Sequence, residues 1–377
     1  MTVTARSARD VEVAVVGGGV AGLAMALALR PRQTVVLHSR AGERSPPGGE
    51  TLIAAADRLL RELGFIERPD DTFASRLGAA SVWRSDRLEH QDGFLDPKGA
   101  GWRLHRTKFE ERLHELARSG GTAFASPMER IGRDVDGLWL LEDAGQTWRA
   151  RFVVDATGRA AALARKLGVP RPATVDDLLC RAVRLPPTAN VGGLEGFSLV
   201  EASPHGWWHR ATEPNGAIVV AFFTDADLPV ARSTRAPRGF LTELSRTTEA
   251  RRGIDIGTAS IERPLVHSAR TQRLSCAIGD GWCAIGDAAI ALDPLSSAGL
   301  FNALYLAVRG ARAVGNWLDG DATAMSRYAL DIESIWSAHL VKRRDAYGKV
   351  DRYTNESFWR RRERRPKGNP RHPETPR

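Results

Sequence analysis

The amino-terminal part of the chain opens with a compact apolar pattern. The valines between Val11 and Val16 alternate and then cluster, which predicts a buried strand. Leu23 to Leu29 is rich in Ala and Leu and contains no Pro, so we expect a helix soon after that strand. A second apolar run, Thr34 to Leu37, predicts the next strand. Strand, helix and strand in this order indicate an α/β fold.

Three glycines separate the first strand from its helix in the spacing Gly17-x-Gly19-x-x-Gly22. Gly17 allows a tight turn, Gly19 lets the backbone approach a diphosphate, and Gly22 lets the helix pack closely on its strand. A diphosphate binds the unpaired N–H groups at the positive end of a helix. We therefore expect this loop to bind a dinucleotide. The predicted contacts are Gly17, Gly19, Val20, Ala21 and Gly22.

The end of the second strand departs from the usual dinucleotide pattern. An acidic residue normally binds the ribose hydroxyls at this point, and the chain has His38 and Ser39 instead. We predict that these two residues contact the ribose and that adenosine binding is weaker than usual.

A second glycine-containing run lies much later in the chain. A short apolar stretch ending at Ile285 predicts a buried strand, so Gly286 and Asp287 fall at its carboxyl end, where open parallel sheets bind ligands. Asp287 is placed to accept a hydrogen bond from a ribityl hydroxyl. The residues that follow lead into an apolar helix, whose amino terminus would stabilise the N1 and O2 edge of a reduced flavin. The predicted FAD contacts here are Gly286, Asp287, Pro294, Ser297, Ala298 and Gly299.

The middle of the chain is rich in strand patterns. Turn residues separate the predicted strands Phe197 to Val200, Gly206 to Arg210 and Ala217 to Phe223, and Met325 to Trp359 is predicted to be helical. The predicted fold is therefore α/β: a Rossmann-type FAD-binding domain, glutathione-reductase-like, with an inserted β-sheet substrate domain and a C-terminal helical segment. The predicted boundaries are 10–60, 103–168 and 276–318 for the FAD-binding domain, 61–102 and 169–275 for the substrate domain, 319–362 for the helical segment and 363–377 for a basic tail.

Composition agrees with an enzyme of the cytoplasm. The chain has 377 residues with 42% hydrophobic content, enough for a large core. No apolar stretch reaches the ~20 residues that span a bilayer, and the amino terminus lacks a signal-peptide core, so we expect no membrane association. Cys180, Cys276 and Cys283 are an odd number without CxxC spacing, which argues against a disulfide framework and against a metal site.

The net charge of +9 is concentrated at one end of the chain. Arg360 to Arg377 contains eight Lys or Arg and two Glu, hence a charge of +6, in a Pro-rich segment. We expect a solvated, disordered tail, with capture of an acidic peptide or protein as the alternative. The rest of the chain shows no basic stripe with interleaved aromatic residues, so no nucleic-acid partner is expected.

Four motifs together resemble one flavoprotein group. They are GGGVAGL, LHRTKFEERL around Arg106, VVDATGRAAALAR around Asp155, and GDAAIALDPLSSAG. The combination looks like the group that includes p-hydroxybenzoate hydroxylase, geranylgeranyl reductase and the tryptophan halogenases, and it extends from about Val11 to about Arg362. The resemblance implies that Arg106 lies close to the FAD, that Asp287 binds its ribityl chain and that the loop before Gly299 faces the isoalloxazine ring. It also makes Asp155 a candidate cofactor contact.

Two features bear on the branch within this group. Halogenases carry an early Lys that handles hypohalous acid and a WxWxIP motif, whereas the first Lys here is Lys98 and the matching segment is Gly206-Trp207-Trp208-His209-Arg210. The chain is more similar to halogenase-related monooxygenases that modify tryptophan side chains in precursor polypeptides, such as those that mature quinone cofactors. The alternatives are a flavin-dependent halogenase, a reductase of the geranylgeranyl reductase type and a non-catalytic flavoprotein that binds a partner.

The expected reaction is hydroxylation of an electron-rich aromatic ring through a flavin C4a-hydroperoxide, with O2 as co-substrate. NADH or NADPH would bind transiently as electron donor, or a partner flavin reductase would supply the electrons. The substrate is an aromatic small molecule or a tryptophan-containing peptide. The residues predicted to wall the site or to transfer protons are Trp83, Trp102, Trp207, Trp208, His209, His105 and Glu50; the catalytic candidates among them are Trp207, Trp208, His209 and Glu50.

Overall fold

The computed structural model describes residues 8–38, 48–65, 71–93, 99–187, 193–256 and 261–363. The strands, in chain order, are β1 (Arg9–Val16), β2 (Thr34–Leu37), β3 (Thr51–Leu52), β4 (Phe73–Ser75), β5 (Gly78–Val82), β6 (Glu89–Asp92), β7 (Trp102–Leu104), β8 (Ala123–Ala125), β9 (Arg130–Arg133), β10 (Trp139–Glu142), β11 (Thr147–Asp155), β12 (Ala173–Thr174), β13 (Leu178–Leu185), β14 (Phe197–Ser203), β15 (Gly206–Thr212), β16 (Ile218–Asp225), β17 (Leu265–Ser268), β18 (Gln272–Arg273), β19 (Ile278–Gly279), β20 (Trp282–Ala284) and β21 (Ile290–Ala291). The helices are α1 (Val20–Ala28), α2 (Ala56–Glu62), α3 (Arg106–Ser119), α4 (Ala162–Lys166), α5 (Pro229–Ser233), α6 (Pro237–Leu244), α7 (Gly299–Leu318), α8 (Ala324–Tyr347) and α9 (Ser357–Glu363).

The largest sheet has eight strands and a parallel centre in the order β20-β11-β1-β2-β8. Its register aligns Val16 with Asp155 on one side and with Leu37 on the other. Ala284 of β20 also pairs with Asp155. Four strands therefore end at one level, and the loops that follow them meet at a single edge of the sheet, where α/β folds bind ligands.

Helix α1 packs very closely on this sheet. A Cβ atom at Gly22 would lie 1.8 Å from the carbonyl oxygen of Gly17, so a larger residue would force the helix away from the strand. The apolar residues of β1 and α1, such as Val13 and Leu23, are fully buried in the main core. The same core includes α7, which packs against α1, and both helices contact the eight-stranded sheet.

A second sheet has seven strands in the order β17-β13-β16-β15-β14-β5-β6. Because side chains alternate along each strand, its two faces carry different residues. Trp208 and Phe222 lie on the outer face, where Phe240 of α6 covers them. Trp207 and Phe223 lie on the opposite, inner face. The first sheet has a parallel centre, the second is largely antiparallel, and the C-terminal part is helical. This architecture confirms the predicted α/β class with its Rossmann-type part.

The C-terminal segment packs on the inner face of the second sheet. Tyr347 at the end of α8 and Trp359 of α9 are both buried there. The indole Nε1 of Trp359 donates a hydrogen bond to the Ser203 carbonyl oxygen at 2.9 Å. The single helical stretch expected from Met325 to Trp359 is interrupted, since α8 ends at Tyr347 and α9 begins at Ser357. Among the described residues, no helix has both the length and the apolarity needed to cross a membrane.

Candidate functional site

The loop between β1 and α1 has the geometry of an anion site. Gly17 adopts φ +119°, and a Cβ there would lie 2.3 Å from the Ala156 carbonyl oxygen, so only glycine fits. A Cβ built at Gly19 meets no described atom within 4 Å, and α1 begins after Gly19 without a side-chain cap. The first N–H groups of α1 are therefore without a side-chain cap among the described residues, as binding of a diphosphate requires.

His38 lies beside this loop at the end of β2. Its ring stacks on Phe124 at 5.6 Å and on His114 at 5.7 Å, and its Nδ1 lies 2.7 Å from the position of a Cβ at Gly18. Burial, together with the positive charge of Arg118, lowers the pKa of His38, so the ring is neutral near pH 7. A neutral imidazole thus occupies the place of the usual acid. Ser39, the other predicted ribose contact, lies outside the described residues.

Asp155 has a different role from the predicted cofactor contact. Its carboxylate is fully buried and accepts hydrogen bonds from the Thr157 N–H at 2.9 Å, the Thr157 hydroxyl at 2.6 Å and the Ala164 N–H at 2.7 Å. No carboxylate surface is left for a ligand. Asp155 therefore positions the loop after β11 and the start of α4, and the prediction of direct contact is corrected accordingly.

Asp287 lies in a 3-10 turn, Gly286–Ala288, directly after β20. Its Oδ2 forms an ion pair with Nε of Arg159 at 3.2 Å, and its side chain remains 30% exposed. Arg159 also donates hydrogen bonds to the carbonyl oxygens of Leu292, at 3.2 Å, and of Arg270. One guanidinium thus connects the loop after β11 with the loop after β20. Arg159 follows Gly158 in the motif that contains Asp155, but nothing in that motif indicates its distant partner Asp287.

The segment before α7 forms a second uncapped helix terminus. Asp293 caps the 3-10 turn Pro294–Ser296 by accepting a hydrogen bond from the Leu295 N–H at 3.0 Å, and Ser297 adopts the left-handed φ +49°. Ala298 begins α7 without a side-chain cap, and a Cβ built at Gly299 meets no atom within 4 Å. The positive end of this 20-residue helix has no side-chain cap in the part of the chain that the structure describes, and it suits the flavin edge that gains negative charge on reduction.

Arg106, the first residue of α3, lies between these loops. It pairs with Glu110 at 2.7 Å and with Glu50 at 3.4 Å. Burial opposes its charge, but the carboxylates of Glu50 and Glu110, with Asp287 further away, raise the pKa of Arg106 above its ordinary value. Arg106 is therefore a permanent cation at the point where the two loops meet the second sheet.

Glu50 lies just before β3, against the inner face of the second sheet. The neighbouring Gly49 packs there so closely that a Cβ would lie 3.0 Å from Cβ of Val219. Oε2 of Glu50 is buried and has no hydrogen-bond partner among the described residues, although the side chain as a whole is 23% exposed. Burial raises the pKa of Glu50, and the charge of Arg106 opposes this only in part. Glu50 is thus a carboxyl group that takes up a proton more readily than usual.

Cys180 is buried on the inner sheet face, within range of the charge of Glu50. Burial raises its thiol pKa to about 12, and the charges of Arg159, Arg181 and Glu50 also act on it. Glu50, Arg106, Cys180, Arg159 and Asp287 are therefore linked by ion pairs or by electrostatics, and we call the region around these five side chains the central cleft. Within the described parts of the chain, no group of three or more His, Cys, Asp or Glu is arranged to hold a metal ion.

The two tryptophans predicted to be catalytic are core residues. Trp208 is fully buried on the outer face, stacked on Phe222 at 4.6 Å, so it faces away from the cleft. Trp207 is on the inner face, stacks on Phe223 at 3.9 Å and donates a hydrogen bond to the Tyr347 hydroxyl at 3.0 Å. Both predictions are corrected, because Trp207 is buried under the C-terminal segment and Trp208 is buried under α6.

The remaining predicted side chains have mixed positions. His209 is on the inner face, opposite Ala221, and burial lowers its pKa to about 4, so it is a weak base. His105 caps α3 by accepting a hydrogen bond from the Lys108 N–H at 3.5 Å. The indole N–H groups of Trp83 and Trp102 are used as donors to the Ala346 carbonyl oxygen and to Asp57. The central cleft therefore retains Glu50 as its candidate proton acceptor.

Comparison with known proteins agrees with this geometry. The FAD binding domain family matches residues 10–326. LodB of Marinomonas mediterranea, which is named as an FAD-dependent oxidoreductase, is 28% identical over 370 residues, covering 92% of this chain and 95% of LodB. The structure of the flavin-dependent brominase Bmp2 superposes with a TM-score of 0.77 at 17% identity, covering 92% of this chain and 89% of Bmp2. The peptidyl tryptophan dihydroxylase QhpG, essential for tryptophylquinone cofactor biogenesis, gives a TM-score of 0.69 at 22% identity, covering 94% of this chain and 79% of QhpG.

Proposed function

The chain belongs to the FAD binding domain family, and from this premise we propose that it is an FAD-dependent monooxygenase that hydroxylates the indole ring of a tryptophan in a precursor polypeptide. The family match and the relatives support a coarser assignment: the chain is an FAD-dependent oxidoreductase of the monooxygenase and halogenase-like superfamily. Our proposal adds hydroxylation as the reaction and a tryptophan in a polypeptide as the substrate.

The observation that carries the proposal is the chemical type of the titratable group in the central cleft. That group is the carboxyl of Glu50, whose Oε2 is buried and has no hydrogen-bond partner within the described ranges. The lysines that the structure describes all reach the surface: Lys108, Lys166, Lys342 and Lys349. Lys98 lies outside the described residues. A base that accepts a proton from an aromatic ring suits hydroxylation, whereas a halogenase needs an ammonium group beside its substrate.

Several residues of the chain fit an FAD molecule. The uncapped amino terminus of α1 would hold the diphosphate, Asp287 the ribityl chain, and the uncapped terminus of α7 the pyrimidine edge of the flavin. When bound and reduced, FAD supplies the activation of O2, so that one oxygen atom enters the ring and the other leaves as water. Two electrons are required for each turnover. We propose that NADH, NADPH or a partner flavin reductase supplies them.

The proton displaced from the hydroxylated ring carbon must go to a base. We assign this step to the Glu50 carboxylate, since burial raises its pKa towards the range in which a general base works well. His209, with a pKa of about 4, is a poorer acceptor. Arg106, paired with Glu50 at 3.4 Å, orients the carboxyl group and limits the rise of its pKa.

The choice of a polypeptide substrate rests on likeness to relatives. QhpG is named for the dihydroxylation of a peptidyl tryptophan. The sequence motifs of this chain resemble the same group of peptide-modifying monooxygenases. An acidic segment in that polypeptide would complement the basic residues 360–377, most of which lie outside the described residues.

The test uses the FAD-loaded enzyme with NADH, NADPH or a flavin reductase, a tryptophan-containing polypeptide and O2, with and without bromide. A mass gain of one oxygen atom on a tryptophan, coupled to O2 uptake, is the expected result. A bromide-dependent product would assign the chain to the halogenases instead. If the flavin is reduced and reoxidised without any change in the polypeptide, the remaining alternatives are a reductase and a flavoprotein that binds a partner.

A further inference from the structure

The seven-stranded sheet ends in two very different edge strands. Strand β6 consists of four exposed residues, two of which, Glu89 and Asp92, are acidic. Charged side chains on an edge discourage the addition of another strand. Strand β17 (Leu265–Ser268) has the sequence LVHS without any Asp, Glu, Lys or Arg, and Val266 is 52% exposed. Only β17 therefore keeps the properties of an edge that accepts a further strand.

The backbone of β17 also has the required orientation. The N–H of the next residue, Ala269, donates to the Leu178 carbonyl oxygen of β13 at 3.0 Å. In an antiparallel pair, hydrogen-bonding groups alternate along the strand, so Leu265 and His267 face β13 while Val266 and Ser268 direct their N–H and C=O groups outward. Val266 and Ser268 are also the two exposed residues of the strand. Within the ranges that the structure describes, these outward groups have no backbone partner.

The edge lies beside the central cleft. His267 pairs with Cys180 and Leu265 with Ala182, so their side chains share the inner face of the sheet. Cys180 itself borders the cleft. Neighbouring strands lie about 4.8 Å apart, so a strand added to β17 would run about 10 Å from β13, with alternate side chains on the inner face. A tryptophan on the inner face of such a strand would lie beside the central cleft.

Basic residues surround this edge. Arg181 lies opposite Val266 and is buried. Burial lowers the pKa of Arg181 most, and the charges of Arg235 and Arg263 lower it further. The three guanidinium groups are therefore close enough to repel each other. Arg235 and Arg263 are exposed, as is Arg232 of α5. This concentration of positive charge favours an acidic ligand.

We propose that the open edge of β17 binds an extended, acidic segment of the polypeptide substrate as an additional antiparallel or parallel strand, and so presents the tryptophan to the central cleft. The proposal rests on the function proposed above, because it assumes a polypeptide substrate. Main-chain hydrogen bonds to Val266 and Ser268 supply affinity, the arginines select for acidic residues, and the inner-face alternation sets which side chain enters the cleft.

Binding of a synthetic peptide to the FAD-loaded enzyme tests the edge directly. The probe is a fluorescein-labelled peptide of about ten residues, the length of a long strand, with Glu and Thr alternating around one Trp. We expect fluorescence anisotropy to show binding, and the counterpart with Lys for Glu to bind at least about tenfold more weakly. N-methylation of alternate residues in one register should weaken binding at least about tenfold, and in the other register should have little effect. Equal effects in both registers would overturn strand addition.

Variants of the enzyme supply an independent arm. Val266→Pro removes an outward N–H that β13 does not use and should weaken peptide binding about tenfold, whereas the matched Val266→Thr retains the N–H and should bind as the wild type does. Arg235→Glu and Arg263→Glu should each weaken binding at least about threefold, and Arg61→Glu on α2 should not. Wild-type affinity in Val266→Pro, with the fold checked by circular dichroism, would refute the proposal.

Two outcomes separate this inference from the function on which it rests. Register-dependent binding of the peptide without oxygen incorporation would support the edge and refute the hydroxylase proposal. Hydroxylation of the peptide with identical rates in Val266→Pro and Val266→Thr would support the hydroxylase and refute the edge. A wild-type dimer that Val266→Pro converts to a monomer, measured by light scattering, would instead assign β17 to self-association.

Discussion

Nε of Arg159 lies 3.2 Å from Oδ2 of Asp287, and this contact joins the loop after β11 to the loop after β20. Both residues are partly exposed, with side-chain exposures of 24% and 30%. An ion pair at this exposure stabilises the fold only slightly. The contact matters because it positions Asp287, the carboxylate predicted to bind the ribityl chain of FAD.

Replacement of Arg159 by Met should therefore affect FAD binding more than folding. We expect the Kd for FAD to rise about tenfold, corresponding to the loss of one charge-assisted hydrogen bond and of the orientation of Asp287. Flavin fluorescence quenching measures the Kd, and thermal unfolding of the apoprotein measures stability. Arg165→Met, on the exposed part of α4, is the control. An unchanged Kd together with a large drop in Tm would assign Arg159 a purely structural role.

Glu50→Gln tests the proposed proton acceptor. The substitution retains the size of the side chain and removes the basic carboxylate, so kcat should fall about 100-fold while the Kd for FAD stays within about twofold. The exposed Glu115→Gln on α3 provides the matched control. Retention of full kcat by Glu50→Gln would exclude Glu50 as the base.

The pH dependence of kcat follows from the environment of Glu50. Burial raises its pKa, so the active carboxylate is lost by protonation when the pH falls through this raised value. The acid limb of the profile should therefore lie above the ordinary Glu pKa of about 4.3. In Glu50→Gln that limb should disappear from the residual activity. A limb at the same pH in both enzymes would have to come from another group.

His38→Asp restores the acid that is usual at the end of the second strand. A carboxylate accepts a stronger hydrogen bond from a ribose hydroxyl than neutral imidazole does, so FAD should bind about tenfold more tightly. His38→Asn is nearly identical in shape and lacks the charge, which makes it the matched control. Titration of both apoproteins with FAD at pH 7 gives the comparison. Equal affinities for Asp and Asn would mean that residue 38 does not contact the ribose.

The parts of the site that sequence predicts well are those formed by contiguous residues. Gly17 to Gly22 and Pro294 to Gly299 each form a helix terminus whose geometry depends on the local chain, so glycine spacing and helix pattern suffice to locate both. Arg159 was missed because its role depends on Asp287, which is distant in sequence. The resemblance to known flavoproteins supplied Arg106, whose partners come from three different segments.

Trp207 and Trp208 show the opposite limit. Strand alternation alone places neighbouring tryptophans on opposite faces of β15, but it does not tell which face is covered. The cover on the inner face comes from Tyr347 and Trp359, more than a hundred residues later, and on the outer face from Phe240. Long-range packing of this kind leaves no signal near the tryptophans, so their burial became visible only in the structure.

The C-terminal helix α9 covers part of the inner face of the second sheet. Arg362 and Asp225 form an ion pair at 2.7 Å with both side chains 3% exposed, whereas Arg361 pairs with Asp227 at 44% and 57% exposure and reaches Asp225 only at 3.2 Å. Arg362→Met leaves a buried carboxylate without its main partner and should lower the free energy of unfolding by about 3 kcal/mol. Arg361→Met, the adjacent control, should cost less than about 1 kcal/mol. Urea denaturation of the two variants measures both values. Equal losses would show that α9 contributes through its apolar residues Phe358 and Trp359 and not through the buried ion pair.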